Sequence, residues 1–264
     1  MTDPLPRILV AEPLAEEGVA ILRQAGTVDV RTSLSRDELL AAIGGYDALV
    51  VRSGVQVDAA AIAAGSRLQV IGRAGVGVDN ISVPDATAAG IVVVNAPTGN
   101  TIAAAEHTVA LMMALARRIP AADASVRKGE WKRSQFTGRE LRGKTLGVIG
   151  LGKIGMAVAS RAQGLEMTIL GHDPFVTEEA AARHGIRLAS VAEILREADV
   201  VTVHVPMTAK TRGLIGADEI ATMKPDAFLV NVARGGVIDE QALADALAAG
   251  RIAGAAIDVY PTEP

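Results

Sequence analysis

The chain has 264 residues, half of them hydrophobic, with 26 Lys and Arg against 30 Asp and Glu, a formal net charge of −4 and no cysteine. That length accommodates two domains with cores of their own, the missing cysteine excludes disulfides, thiolate metal sites and a cysteine nucleophile, and the acidic balance offers no electrostatic ground for nucleic-acid binding. No run approaches the roughly eighteen apolar residues of a membrane span, and "MTDPLPRILVAEP" at the start lacks the apolar core of a signal peptide, so the expectation is a cytoplasmic protein with no membrane, nucleic-acid or metal partner.

Short β-branched runs alternate with Ala-rich helical stretches from end to end, the pattern of an α/β fold in which helices join parallel strands. In the first part, "RILVA" (7–11), "DALVV" (47–51), "LQVIG" (68–72) and "IVVVN" (91–95) read as buried strands, with helices expected at 13–24, 58–64 and 84–89. The turn-rich "NAPTGN" (95–100) precedes "TIAAAEHTVALMMALARRI" (101–119), which has the length and composition of one long buried helix. A domain boundary is expected there, with residues 1–98 in one domain and 99–264 in the other. A charged loop at 127–144 then leads into strands expected at 145–149, 167–171, 199–203, 227–230 and 253–257.

The stretch "GVIGLGKIG" (147–155) is the sharpest local signal. Gly150, Gly152 and Gly155 follow the apolar run "TLGVI" and open the helix-like "KIGMAVASRAQG". In that context the first glycine permits a tight turn, the second lets a pyrophosphate approach the backbone, and the third lets helix pack on strand. Asp173, 23 residues after Gly150 and just past the next strand, suits the ribose hydroxyls of NAD and repels the 2′-phosphate of NADP.

Ligands of open parallel sheets bind at the carboxyl ends of the strands, so "HVP" (204–206), "NVARGG" (231–236) and Asp258 are the next candidates. Arg234 and Asp258, with one helix between them, are expected to project from neighbouring strand ends. An arginine there grips a carboxylate in a bidentate way, or it staples the loop as an ion pair. His204 is the one histidine at a strand end in this crevice; it serves either as a base near neutral pH or as a wall of the cleft. His107 reads as packed or hydrogen-bonded within the long helix at the domain junction, His172 as a cofactor-edge residue and His184 as a loop residue.

Taken together, "GVIGLGKIG", "DP" (173–174), "VHVPMTAKTRGLI", "LVNVARGGVIDEQAL" and "GAAIDVYPTEP" resemble the NAD-dependent D-2-hydroxyacid dehydrogenases, and "LVVRSGVQV" (49–57), "VIGRAGVGVDNI" (70–81), "VVNAPTGNTIAAAEHT" (93–108) and "GEWKRSQFTGREL" (129–141) extend the resemblance over nearly the whole chain. The resemblance implies two doubly wound parallel-sheet domains, Rossmann-like and flavodoxin-like, with the cofactor domain (99–264) inserted in a substrate-binding domain that begins with residues 1–98. It implies NAD contacts at Val76, Gly150, Gly152, Lys153, Ile154, Gly155, Asp173, His204, Val205, Pro206, Val232, Ala233, Arg234 and Asp258. Substrate contacts fall on Arg52, Ser53, Gly75, Val76, Asn100, Arg133 and Arg234, with Arg234 and Glu263 as catalytic residues, Glu263 pairing with a catalytic histidine and raising its pKa. Without the resemblance, Arg52, Arg73 and Arg133 read equally as solvated surface arginines.

The implied reaction is oxidation of 3-phospho-D-glycerate to 3-phosphohydroxypyruvate, the first step of phosphorylated serine synthesis, by a homodimer joined through the cofactor domain and helix 101–119. The alternatives are another D-2-hydroxyacid dehydrogenase acting on hydroxypyruvate, glyoxylate or lactate, and an NAD-sensing binding protein of the corepressor kind. In the family the catalytic histidine follows the "EP" dipeptide in a Pro-His-x-Gly context, and the sequence stops at Pro264; the expectation is therefore a truncated or partly recorded dehydrogenase core.

Overall fold

The computed structural model describes residues 5–262, and the chain divides into two compact units, Met1–Asn100 and Thr101–Pro264. In the first unit, strands β1 (Arg7–Val10), β2 (Thr27–Val30), β3 (Ala48–Val51), β4 (Val70–Arg73) and β5 (Val92–Asn95) alternate with helices α1 (Glu16–Ala25), α2 (Arg36–Ile43), α3 (Ala59–Ala64) and α4 (Val83–Ala88). The strands form one parallel sheet in the order β2-β1-β3-β4-β5, the flavodoxin-like doubly wound arrangement. Leu9, Val10, Leu49, Val51 and Ile71 are fully buried in its central strands, which is why those strands are continuous apolar runs rather than alternating ones. Ser35 and Glu38 form a reciprocal capping box at the start of α2, and Asp58 accepts from the Ala60 and Ala61 N–H groups at the start of α3.

The second unit begins with α5 (Thr101–Arg117), α6 (Ile119–Arg127) and a 3-10 turn at Arg133–Phe136. It continues β6 (Thr145–Ile149), α7 (Lys153–Gly164), β7 (Thr168–His172), α8 (Glu178–Ala182), β8 (Ile186–Leu188), α9 (Val191–Glu197), β9 (Val200–Val203), α10 (Ala217–Thr222), β10 (Phe228–Asn231), α11 (Glu240–Ala248) and β11 (Gly254–Ile257). All six strands are parallel in the order β11-β10-β9-β6-β7-β8. Counted within the unit this is the dinucleotide-binding order, with its reversal point between β6 and β9. Met112, Val148, Val158 and Ile169 pack on one face of the sheet, Ile149, Leu170, Ile194 and Leu229 on the other. No helix among the described residues is long and apolar enough to cross a membrane.

The structure departs from the sequence reading at several elements. The helix expected over 101–119 ends at Arg117; Arg118 takes a left-handed conformation (φ 54) and a new helix, α6, carries Pro120 in its first turn. Proline lacks the N–H that would bond to the Ala116 carbonyl, which accepts from the Arg139 N–H instead, at 2.7 Å. The expected buried strand at 91–95 is an edge strand with Val92 and Val94 exposed. Strands β2 and β8 were not anticipated. Each has only three or four residues, carries a charged side chain and lies at a sheet edge, so neither needs an apolar run.

Candidate functional site

The glycine loop follows β6 directly. Gly150 has φ +99, a conformation closed to most side chains, and a Cβ there would lie 2.5 Å from the His204 carbonyl oxygen. At Gly155 a Cβ would lie 1.9 Å from the Gly150 carbonyl oxygen, so the first turn of α7 is pressed onto the loop. Gly152, which precedes α7, is the opposite case: a Cβ would meet nothing within 4 Å. The loop is therefore tight where it must turn and open beside the helix N-terminus, the arrangement a pyrophosphate requires. Lys153 is exposed and Ile154 half-buried in the first turn of α7.

Asp173 lies just past β7 and is tied to the same loop. Its Oδ2 accepts from the Leu151 N–H at 2.9 Å and its Oδ1 from the Phe175 N–H at 2.9 Å. The carboxylate is thus held at the β7 end in the position from which an acid can accept ribose hydroxyls. His172 is half-buried, its Nδ1 3.0 Å from the Ala189 carbonyl oxygen, and His184 follows α8.

Across the reversal point, the His204 N–H donates to the Ile149 carbonyl at 2.7 Å and prolongs the β9 ladder. Its Nε2 lies 3.1 Å from the Thr202 hydroxyl, and burial lowers its pKa from 6.5 to about 4. A base of that strength is poorly matched to neutral pH, which favours the cleft-wall reading of His204. A consequence is measurable. Above pH 6.5 the ring is neutral in folded and unfolded chains alike; as pH falls from about 6.5 to about 4 only the unfolded chain takes up the proton. Stability should drop in that window by roughly 3 kcal/mol. Urea unfolding across the window checks this, and the decline should be shallower in His204→Asn; parallel curves for the two proteins would refute it. Beside His204, Val205 is half-buried against Gly150, and the exposed Pro206 accepts from the Thr211 hydroxyl at 2.6 Å.

At the end of β10 one buried side chain shapes the loop. Asn231, 2% exposed, accepts through Oδ1 from the Ala233 N–H at 3.0 Å and donates through Nδ2 to the Arg234 carbonyl at 2.9 Å. Val232, Ala233 and Arg234 are half-buried, and Arg234 Nη1 donates to the Ala233 carbonyl at 2.6 Å. At Gly235 a Cβ would lie 2.0 Å from the Tyr260 carbonyl carbon, so only glycine lets the loop pass that backbone. The Asp258 N–H donates to the Asn231 carbonyl at 3.0 Å, and its Oδ1 lies 3.1 Å from His107 Nε2 on α5. His107 is 47% exposed, and its partner is this strand-end carboxylate.

The first unit also gathers its candidates at strand carboxyl ends. Arg52 and Ser53 follow β3 and are exposed, and Gly75 and Val76 follow β4 and are half-buried. Glu12, just past β1, accepts from the backbone N–H groups of Arg52 (2.5 Å), Gly54 (2.8 Å) and Val55 (3.2 Å). Buried Asn80 donates to the Arg52 and Val55 carbonyls at 2.9 and 2.7 Å. Asn95 holds the other turn, donating to the Val76 carbonyl at 2.6 Å. Arg73 is no solvated surface arginine: it is half-buried, and a Cβ on Gly75 would overlap its guanidinium. Asn100 is exposed at the end of the unit. Arg133 lies exposed in the 3-10 turn of the second unit. Glu263 lies outside the described residues.

Residues 109–264 match the family model of the D-isomer specific 2-hydroxyacid dehydrogenase NAD binding domain. The chain belongs to the D-isomer specific 2-hydroxyacid dehydrogenase family. It is 53% identical over 259 residues to D-3-phosphoglycerate dehydrogenase of Archaeoglobus fulgidus, covering 98% of this chain and 49% of the relative. It is 52% identical to D-3-phosphoglycerate dehydrogenase of Methanocaldococcus jannaschii, again covering 98% and 49%. Its fold superimposes on a glyoxylate reductase from Paecilomyes thermophila with a TM-score of 0.90 at 32% identity, covering 99% of this chain and 83% of that one. The chain spans about half the length of the curated relatives it matches. The second unit of this dehydrogenase-family chain thus carries the family's NAD-binding domain, and the glycine loop with Asp173 has the shape that cofactor needs.

Sequence reasoning missed the supporting residues Asn231, Glu12, Asn80 and the partner of His107. Asn231 left a readable trace, since an Asn at a strand end bonding to the N–H two residues on is a local turn device. The others act on backbone or side chains distant in the chain, and no local pattern marks them.

Proposed function

We propose that the protein catalyses NAD-dependent oxidation of 3-phospho-D-glycerate to 3-phosphohydroxypyruvate, the first step of phosphorylated serine synthesis, as a cytoplasmic homodimer associating through its cofactor domain and α5. The observation that carries the reading is the placement of the Gly150 loop with Asp173 and the stapled Arg234 loop at carboxyl ends of one parallel sheet. Identity above 50% to two D-3-phosphoglycerate dehydrogenases supports the choice of acid.

NAD, when bound, supplies the hydride acceptor. The Gly150–Gly155 loop and the α7 N-terminus bind the pyrophosphate, helped by Lys153 and Ile154, and Asp173 accepts from the ribose hydroxyls. His204, Val205, Pro206, Val232, Ala233 and Asp258 line the other mononucleotide half. Arg234 binds the substrate carboxylate and polarises the C2 oxygen, as a planar always-charged fork can do for both. Arg52, Ser53, Gly75, Val76, Asn100 and Arg133 are assigned to substrate, and Glu263 to the partner of the proton-accepting histidine.

The cofactor assignment is tested by calorimetric titration. NAD should bind at least about tenfold more tightly than NADP, because the Asp173 carboxylate meets a 2′-phosphate with like charge. Asp173→Ala should narrow that preference while retaining pyrophosphate binding. Equal or tighter binding of NADP by the unaltered protein would sink the assignment, and preferential turnover of unphosphorylated 2-hydroxy acids would sink the choice of substrate.

A further inference from the structure

We infer that His107 is a positioning residue for the nicotinamide end of the cofactor, acting through its bond to Asp258. The inference rests on the NAD reading above and extends it to a side chain on α5 that lies outside the strand-end loops.

In the dinucleotide-binding strand order each half of the sheet takes one mononucleotide. Asp173 marks the half formed by β6, β7 and β8 as the adenosine side; β9, β10 and β11 are left for the nicotinamide side, and Asp258 stands at the end of β11. The Asp258 main chain is fixed by its N–H bond to Asn231. Its side chain is 45% exposed, and a short exposed carboxylate samples several rotamers unless something holds it. His107 does so, with Nε2 3.1 Å from Oδ1. A carboxylate only accepts hydrogen bonds, so Nε2 carries the proton in this contact. One oxygen is thereby occupied and Oδ2 is presented as an acceptor for an amide N–H, such as that of a carboxamide. The helix that supplies the histidine is itself firmly seated: Ala105, Thr108 and Met112 of α5 are buried.

The test compares NAD with ADP-ribose, which keeps the pyrophosphate and adenosine but lacks nicotinamide. In calorimetric titrations of the intact protein, His107→Leu should weaken NAD by about 5- to 10-fold, the loss of one ordered hydrogen-bonded contact, while ADP-ribose affinity stays within about twofold. His107→Gln, whose amide nitrogen can reach the same carboxylate, should recover most of the NAD affinity. His107 is half-exposed, so both variants should melt at the same temperature as the unaltered protein. Unchanged NAD binding in His107→Leu would overturn the inference, and so would an equal loss for both ligands, which would locate the effect at the glycine loop. An unaltered protein that bound neither ligand would overturn the NAD reading itself and this inference with it; binding of ADP-ribose in every variant preserves that reading whichever way His107 falls.

Discussion

Gly152→Val is expected to abolish most NAD binding and leave the fold intact, whereas Gly155→Ala is expected to damage both. At Gly152 a side chain enters open space beside the start of α7, where the conformation (φ −69, ψ −169) is one any residue adopts. Nothing in the protein must move, but the pyrophosphate is displaced from the helix N–H groups. Losing two hydrogen bonds to a charged group costs about 3 kcal/mol or more, or roughly 100-fold in affinity. At Gly155 the added methyl would sit 1.9 Å from the Gly150 carbonyl oxygen and 3.3 Å from Val148 Cγ1. The first contact is with backbone, so relief requires α7 to lift off β6. Overpacking of this kind costs about 1 to 3 kcal/mol, and the displaced helix takes the binding loop with it. Thermal melting and calorimetry on both variants check the pair. A Gly155→Ala protein with unaltered melting, or a Gly152→Val protein that binds NAD normally, would mean that the loop does not work as its geometry indicates.

Arg234→Ala is expected to lower turnover by about 30-fold or more with NAD affinity nearly unchanged. Arg234 is half-buried on a loop that Asn231 fixes through two hydrogen bonds and that Gly235 lets pass the Tyr260 backbone. A carboxylate meeting it is therefore gripped by a preorganised group, and removing one partner of such a contact costs about 2 to 5 kcal/mol. Arg234→Lys should recover only part of the rate, because an ammonium cannot reproduce the two parallel bonds of the fork. Steady-state kinetics in catalytically competent protein, alongside NAD titration, separates the roles. Turnover near that of the unaltered enzyme would remove Arg234 from the chemistry, and a matching loss of NAD affinity would make it a cofactor ligand.

Much of the glycine loop was legible because its instructions are local. The end of a strand, the loop glycines 150, 152 and 155 and a helix start fall within residues 147–155, and the conformational demands on Gly150 and Gly155 are met inside that segment or by the adjacent strand. The apolar runs of β1, β3, β6, β9 and β10 were readable for a similar reason: strands buried on both faces have little room for polar residues. Pro120 lies in the first turn of α6, and the helix expected over 101–119 stops just before it, two residues past the observed end of α5 at Arg117.

What the sequence by itself determined, then, was the α/β class, the glycine loop with an acid just past the next strand, and the strand-end positions of Arg234 and Asp258. Only the tertiary structure decided strand order, which periodicity does not encode, and hence which ends face each other across β6 and β9. It also decided the pairing of His107 with Asp258, the three N–H groups that Glu12 collects from a turn 40 and more residues away, and the burial that pushes His204 to a pKa of about 4. These depend on groups far apart in the chain being brought together, the hydrogen-bonded ones to between 2.5 and 3.2 Å. Hydrogen bonding and desolvation need such neighbours in place, so they have no signature until the parallel sheet has set its order.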